Sequence, residues 1–104
     1  MTQGAKKAPR PRGPDPYKLD VADRIYTAFT EAGRKRKRGN ELTQDELGRS
    51  VAKELGRSLP FPQGTVSAWM SNTNPSLPDP LIMRAIGKVL DVDVMWLLYG
   101  AAED

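Results

Sequence analysis

The sequence predicts an all-α fold, a compact bundle of five short helices, and three observations support this. Apolar residues recur at spacings of three and four in five separate segments, and no segment shows sustained alternation of apolar and polar residues. Capping residues stand at the start of three of these segments, and glycines stand at the end of three; the caps are Thr43, Asp79 and Asp93, and the glycines are Gly33, Gly56 and Gly100. A chain of 104 residues has room for one hydrophobic core, so we expect one folded domain.

The chain is predicted to begin with a disordered basic arm over residues 1–18. This segment holds four prolines, two glycines and five basic residues. Such a composition cannot offset its ordering entropy by burying apolar side chains. From Leu19 the pattern becomes helical, so the folded domain is predicted over residues 19–100, followed by a short tail over residues 101–104. The first helix is expected to end near Gly33.

The second helix has the clearest start signal in the chain. Thr43 is the predicted N-cap and Glu46 the third helical residue, which together form a capping box. Leu47 begins a buried stripe that continues at every fourth residue, and Gly56 is placed to end the helix.

Three shorter helices follow a stiff connector. Residues 59–62 contain two prolines, which exclude a helix interior. Residues 63–71 are predicted to be a short helix, and Asp79 and Asp93 are the predicted N-caps of the last two helices. Gly100 is expected to close the last one. The core face of the 63–71 helix is predicted to consist of Val66, Trp69 and Met70. Trp69 is therefore expected to pack in the core and not to stack on a DNA base, and the same is expected of Trp96.

The distribution of charge points to a polyanionic partner. Residues 1–38 hold 11 basic and 4 acidic residues, a net charge of +7, whereas residues 39–104 carry a net charge of −4. A basic front on an acidic scaffold is typical of proteins that approach nucleic acid from one side.

The composition also excludes several classes of function. With no cysteine and no histidine, the chain has no disulfides, no thiolate or imidazole catalysis and no zinc site of the usual kind. We therefore expect no enzyme activity, no metal and no cofactor, and no small-molecule ligand is suggested. Apolar runs are too short for a membrane span or a signal peptide, so we expect a cytoplasmic protein.

Four motifs, taken in their order, resemble the lambda-repressor/Cro-type (XRE-like) helix-turn-helix family. They are Thr43-Gln44-Asp45-Glu46-Leu47, Thr65-Val66-Ser67-Ala68-Trp69, the segment 81–90 and Trp96-Leu97-Leu98-Tyr99-Gly100. The resemblance covers residues 19–100 and implies a lambda-repressor-like domain that binds DNA. The sequence departs from the family pattern because Val66 follows Gln44 by 22 residues, about two helical turns more than usual. A lengthened second helix and a lengthened connector are therefore predicted.

The resemblance implies that the 63–71 helix enters the major groove and reads base edges. Its outward residues are the candidates for base reading, namely Gln63, Gly64, Ser67 and Ala68. The Gln63 amide has the donor and the acceptor that bidentate recognition of adenine requires. The alternative is that Gln63 is a solvated residue of the first helical turn.

Other residues are candidates for holding the phosphate backbone. Gln44 corresponds to the phosphate-binding glutamine of the family, and the alternative is an ordinary first helical residue. Weaker candidates are Thr65, Ser71 and Asn72. The basic run of five consecutive cations is either a phosphate contact or a solvated face; it consists of Arg34, Lys35, Arg36, Lys37 and Arg38. The arm contributes Lys6, Lys7, Arg10 and Arg12, which either contact DNA or only solubilise the chain.

Two functions remain open from the sequence. The first is a sequence-specific regulator that binds double-stranded DNA, a repressor acting by occupancy of an operator. The second is a protein-interaction module, such as an antitoxin or inhibitor, built on a helix-turn-helix scaffold. The last predicted helix is more apolar than a short terminal helix requires, which makes it the candidate homodimer interface through Met95, Trp96, Leu98 and Tyr99.

Overall fold

Five α-helices make up most of the computed structural model, which describes residues 15–35 and 42–100. In chain order they are α1 (Pro16–Arg34), α2 (Gln44–Glu54), α3 (Gln63–Trp69), α4 (Pro80–Leu90) and α5 (Val94–Tyr99). Residues 15–35 and 42–100 contain no strand, so the predicted all-α class is confirmed. None of these helices is long and apolar enough to cross a membrane.

The three predicted N-caps are confirmed. The Thr43 hydroxyl oxygen accepts a hydrogen bond from the backbone N–H three residues later, at 3.1 Å. The Asp79 carboxylate accepts from the N–H three residues later at 3.0 Å, and the Asp93 carboxylate from the N–H two residues later at 3.1 Å. Each cap gives a partner to one of the N–H groups that a helix leaves unpaired at its start.

The first helix begins earlier than predicted. The Asp15 carboxylate accepts a hydrogen bond from the Tyr17 N–H at 2.8 Å, and Pro16 is the first helical residue. Proline suits this position because its fixed φ matches a helix and its missing N–H is not needed there. The predicted boundary at Leu19 is therefore wrong by three residues, since the proline-rich composition concealed an Asp-Pro start signal. The rest of the predicted arm, residues 1–14, and the tail 101–104 lie outside the described residues.

Gly56 ends α2, as predicted. It has φ +75°, a left-handed conformation that favours glycine. Its N–H donates to the Lys53 carbonyl at 3.0 Å, and the Arg57 N–H donates to the Ala52 carbonyl at 2.9 Å. This pair of hydrogen bonds is a Schellman motif, which satisfies carbonyls that the helix would leave unpaired.

The same motif ends α4, but the residue in the left-handed conformation there is not a glycine. Asp91 has φ +60°, a conformation that is unfavourable for an L-residue with a Cβ atom. We expect Asp91→Gly to raise the free energy of unfolding by about 0.5–1 kcal/mol and the melting temperature by a few degrees. Thermal unfolding followed by circular dichroism measures this change. Asp91→Ala is the control, because it keeps the strained backbone, and a melting temperature no higher for the glycine variant than for the alanine variant would contradict the assignment.

The core forms where α2 packs against α3 and α4, and where α1 packs against α4 and α5. Its largest fully buried side chains come from all five helices, and they are Ile25, Leu47, Met83, Ile86, Leu97, Val21, Val51 and Val66. Val66, Trp69 and Met70 are buried as predicted. Leu81 lies at the start of α4 and stays exposed, because Met83 faces the core in this turn.

An aromatic side chain anchors the connector between α2 and α3. Phe61 is buried, and its ring packs edge-on against Trp69 with centroids 5.2 Å apart. The Phe61 N–H donates to the Gly48 carbonyl at 3.4 Å, so the connector backbone lies directly on α2. The sequence indicated a stiff connector here but not that Phe61 belongs to the core.

Arg24 holds α5 against α1. Its Nε donates to the Leu97 carbonyl at 2.9 Å and its Nη2 to the Leu98 carbonyl at 3.1 Å. Carbonyls in the last turn of a helix lack intrahelical partners, and a cation there also complements the helix dipole. Arg24 therefore fixes the C-terminus of α5.

Candidate nucleic-acid interface

The outward face of α3 carries no charge. Because Val66 and Trp69 point into the core, the remaining side chains of this helix point outward. Gln63, Gly64, Thr65 and Ser67 are exposed, and Ala68 is half-buried. The helix has seven residues and ends at Trp69, so Ser71 lies beyond it, in the following turn, rather than in the helix as predicted.

An open groove beside α3 collects several of the predicted contact residues. Its volume is about 520 Å³, and its lining includes Gln44 at the start of α2, Ser67 of α3, and Ser71 and Asn72 of the turn after α3. The structure thus brings together residues that are up to 28 positions apart in the sequence, from Gln44 to Asn72. The opposite wall of the groove is formed by α1.

Gln44 occupies a helix position that suits an anion. It is the first residue of α2 and is half-buried. The first N–H groups of a helix lack intrahelical partners, so a phosphate oxygen is favoured near them. The Thr43 hydroxyl already satisfies one of these groups, at Glu46.

The Ser71 hydroxyl organises the turn after α3. It accepts hydrogen bonds from the N–H groups of Thr73 at 3.1 Å and Asn74 at 3.0 Å, and it lies 3.1 Å from the Thr73 hydroxyl. The two N–H groups occupy both acceptor sites of the Ser71 oxygen, so its O–H is left to donate to the Thr73 hydroxyl and is not free for a phosphate. Asn72, between them, is exposed and lines the groove. Asn72 is therefore the better candidate for a phosphate contact in this turn.

The sequence did not predict the residues that α1 contributes to the groove. Leu19, Asp23 and Tyr26 line it, and the Tyr26 side chain is exposed. Their spacing shows that they share one face of a helix, but only the packed structure shows which helices that face meets. The phenol of Tyr26 can donate to a phosphate oxygen, whereas the Asp23 carboxylate can only accept, for instance from a cytosine amino group.

Other predicted residues lie away from this groove. Gln63, Gly64 and Thr65 stand at the opposite end of α3. Arg34 is exposed and pairs with Glu31 at 3.1 Å, and Lys35 caps α1. The rest of the basic run and the arm cations lie outside the described residues; these are Arg36, Lys37, Arg38, Lys6, Lys7, Arg10 and Arg12.

The four residues predicted for a dimer interface fall into two groups. Met95 and Tyr99 are exposed, one helical turn apart on α5. Trp96 and Leu98 are half-buried and pack against the core. The first pair is therefore an exposed surface, and the second pair also contributes to the packing of the domain.

Comparison of the chain with known proteins gives no match, whether with protein-family models, with curated proteins or with solved structures. Within residues 15–35 and 42–100, no group of three or more acidic side chains is placed to hold a metal ion.

Proposed function

We propose that this protein is a sequence-specific regulator that binds double-stranded DNA, with a lambda-repressor-like fold and α3 as its recognition helix. The observation that supports this most is the face of α3 that is exposed, polar and uncharged. Buried Val66 and Trp69 anchor the helix from the other side. In a repressor of this kind, the protein blocks transcription by occupying the operator.

Base reading is assigned to the outward residues of α3. Gln63 and Ser67 are four residues apart, so they lie on the same face one turn from each other. Gln63 can bind adenine with two hydrogen bonds, and Ser67 can donate to or accept from a base edge. Nothing lies within 4 Å of where a Cβ atom of Gly64 would be, so the backbone there is open to close approach. Ala68 can meet a thymine methyl group through its own methyl.

Backbone binding is assigned to the groove beside α3 and to the basic run. Gln44, Tyr26 and Asn72 line that groove and present N–H or O–H donors. The basic run of residues 34–38 ends five residues before Thr43, the N-cap of α2. Cations and hydrogen-bond donors of this type fix the position of a protein on DNA without reading its sequence.

We expect the regulator to act as a homodimer. One recognition helix reads only a few base pairs, whereas two half-sites about 34 Å apart supply the affinity of an operator. The exposed Met95 and Tyr99 on α5 are the candidate interface.

The alternative function is a protein-interaction module with a helix-turn-helix scaffold. The exposed apolar side chains of Leu81, Met95 and Tyr99 favour it, because they offer a surface for another protein.

Selection of bound sites from random duplex DNA at two salt concentrations tests the proposal. The proposed function predicts an enriched site with dyad symmetry at both concentrations. Salt-sensitive binding without any sequence preference would contradict base reading by α3. Absence of binding at the lower concentration would contradict DNA binding altogether and favour the interaction module.

A further inference from the structure

A second groove, formed by α2 and the connector, is lined by cations. Arg49, Lys53 and Arg57 are exposed at intervals of four residues, and they line an open groove of about 480 Å³. The same groove includes the exposed Ser58 and Pro60, and none of the residues that line it is acidic. This cationic groove is distinct from the groove beside Gln44, in which Asp23 contributes an acidic side chain.

The charges in the cationic groove are not equally available. Arg49 forms an ion pair with Asp45. Lys53 has no ion pair with any of the described residues, and Glu54, its neighbour in the chain, pairs with Lys88 of α4 instead. Lys53 and Arg57 therefore carry the charge that an anionic ligand would meet.

The Arg57 guanidinium is held in place without a carboxylate. It lies over the Phe61 ring, 4.0 Å from the centroid, and Phe61 in turn packs against Trp69 of α3. This cation–π contact requires no carboxylate partner, so the N–H groups of the guanidinium can still donate to an anion. A pre-oriented planar fork of this kind suits the oxygens of a phosphate.

The cationic groove lies near the opposite end of α3 from the groove beside Gln44. Pro60 precedes Gln63, the first residue of α3, by three residues, which places their Cα atoms at most about 11 Å apart. A helix of seven residues is about 10 Å long, and the major groove is about 12 Å wide. Residues near the two ends of α3 can therefore reach phosphates on the two strands that border the major groove.

We propose that Lys53 and Arg57 bind the phosphate backbone of the DNA strand opposite to the one bound near Gln44. This inference rests on the proposed function. It also gives a role to the long connector, which spans the eight residues 55–62 and includes Arg57.

The salt dependence of DNA binding tests this inference. The probe is a mixed-sequence duplex of about 30 base pairs, long enough for two half-sites one turn apart, titrated with the full chain between about 0.05 and 0.2 M salt. Loss of two phosphate contacts in the Lys53→Gln/Arg57→Gln variant should reduce the slope of log K against log salt by about 1.8 per protein subunit. At 0.15 M salt this corresponds to an affinity about 30-fold lower for each subunit bound.

Two further variants separate the possible outcomes. Arg84→Gln removes one exposed charge from α4 and should leave the slope unchanged. Arg57→Lys keeps the charge but loses the planar stacking group, so it should keep the slope and lower the affinity by about two- to fivefold. Binding by the double variant equal to that of Arg84→Gln would overturn the inference and leave the proposed function standing. If the unaltered chain binds no duplex, the proposed function falls and the inference with it.

Discussion

Replacing Gly48 by alanine is expected to lower the free energy of unfolding by about 1–3 kcal/mol, although alanine is the better helix former. A Cβ atom at this position would lie 2.7 Å from the Phe61 carbonyl oxygen and 3.1 Å from Cγ2 of Val66. The first contact is with backbone and the second with a fully buried side chain of α3. Neither neighbour can move without displacing the connector or α3. The close packing of α2 on the connector therefore requires a glycine here.

Chemical unfolding of the Gly48→Ala variant measures this loss, and Gly64→Ala provides the matched control. Gly64 also lies in a helix, but nothing is within 4 Å of its Cβ position. The same substitution there should be neutral or stabilising by up to about 1 kcal/mol. Equal stability of the two variants would show that the contact between α2 and Phe61 is not as close as described.

Replacing all five cations of the basic run 34–38 by glutamine should lower the affinity for any duplex about a thousandfold or more at 0.15 M salt. Five phosphate contacts contribute about −4 to −5 to the slope of log K against log salt, and this contribution should disappear. The exposed ion pair between Arg34 and Glu31 does not prevent such a contact, because exposed pairs contribute only about 0–1 kcal/mol.

A contact with the DNA backbone is identified by comparing how much affinity the variant loses for two different duplexes. The site selected from random DNA and a mixed-sequence duplex should lose affinity by the same factor, since phosphates are alike in both. A loss confined to the selected site would instead assign base reading to the basic run. An unchanged slope would show that the run is a solvated face.

The elements that the sequence predicted well depend on local chemistry. Thr43, Asp79 and Asp93 cap helices through bonds to N–H groups two or three residues away, and Gly56 ends a helix through its own φ angle. Because all residues of such a cap lie within a few positions of each other, the cap can be recognised from the sequence alone. The start of α1 at Pro16 has a local signal too, but it lies within a proline-rich segment whose composition is typical of a disordered arm.

The features that the sequence did not predict depend on contacts between distant residues. Phe61 stands between two prolines, and only its packing on Trp69 shows that it belongs to the core. Arg24 bonds to carbonyls 73 and 74 residues away. Tyr26 meets Gln44 across a groove that exists only after α1, α2 and α3 have packed. For these residues the periodicity indicates a helix face but not what that face contacts.

Two roles are divided between different segments in this account. We propose that the net charge of +7 over residues 1–38 attracts DNA and that the uncharged α3 discriminates between sequences. Gln44 links the two roles in space, because it shares a groove with Ser67 of α3. We therefore propose that α3 reads bases and makes no contribution to the salt-dependent part of the affinity for DNA.

Base reading by α3 is tested by the ratio of two affinities, one for the selected site and one for mixed-sequence DNA. This ratio is measured for Gln63→Ala and for the unaltered chain. We expect the variant to lose about 1–3 kcal/mol of binding free energy on the selected site only, with relaxed preference at one base position and an unchanged salt slope. The control Gln44→Ala should weaken both duplexes equally. An unchanged ratio for Gln63→Ala would contradict the assignment of Gln63 as a base-reading residue.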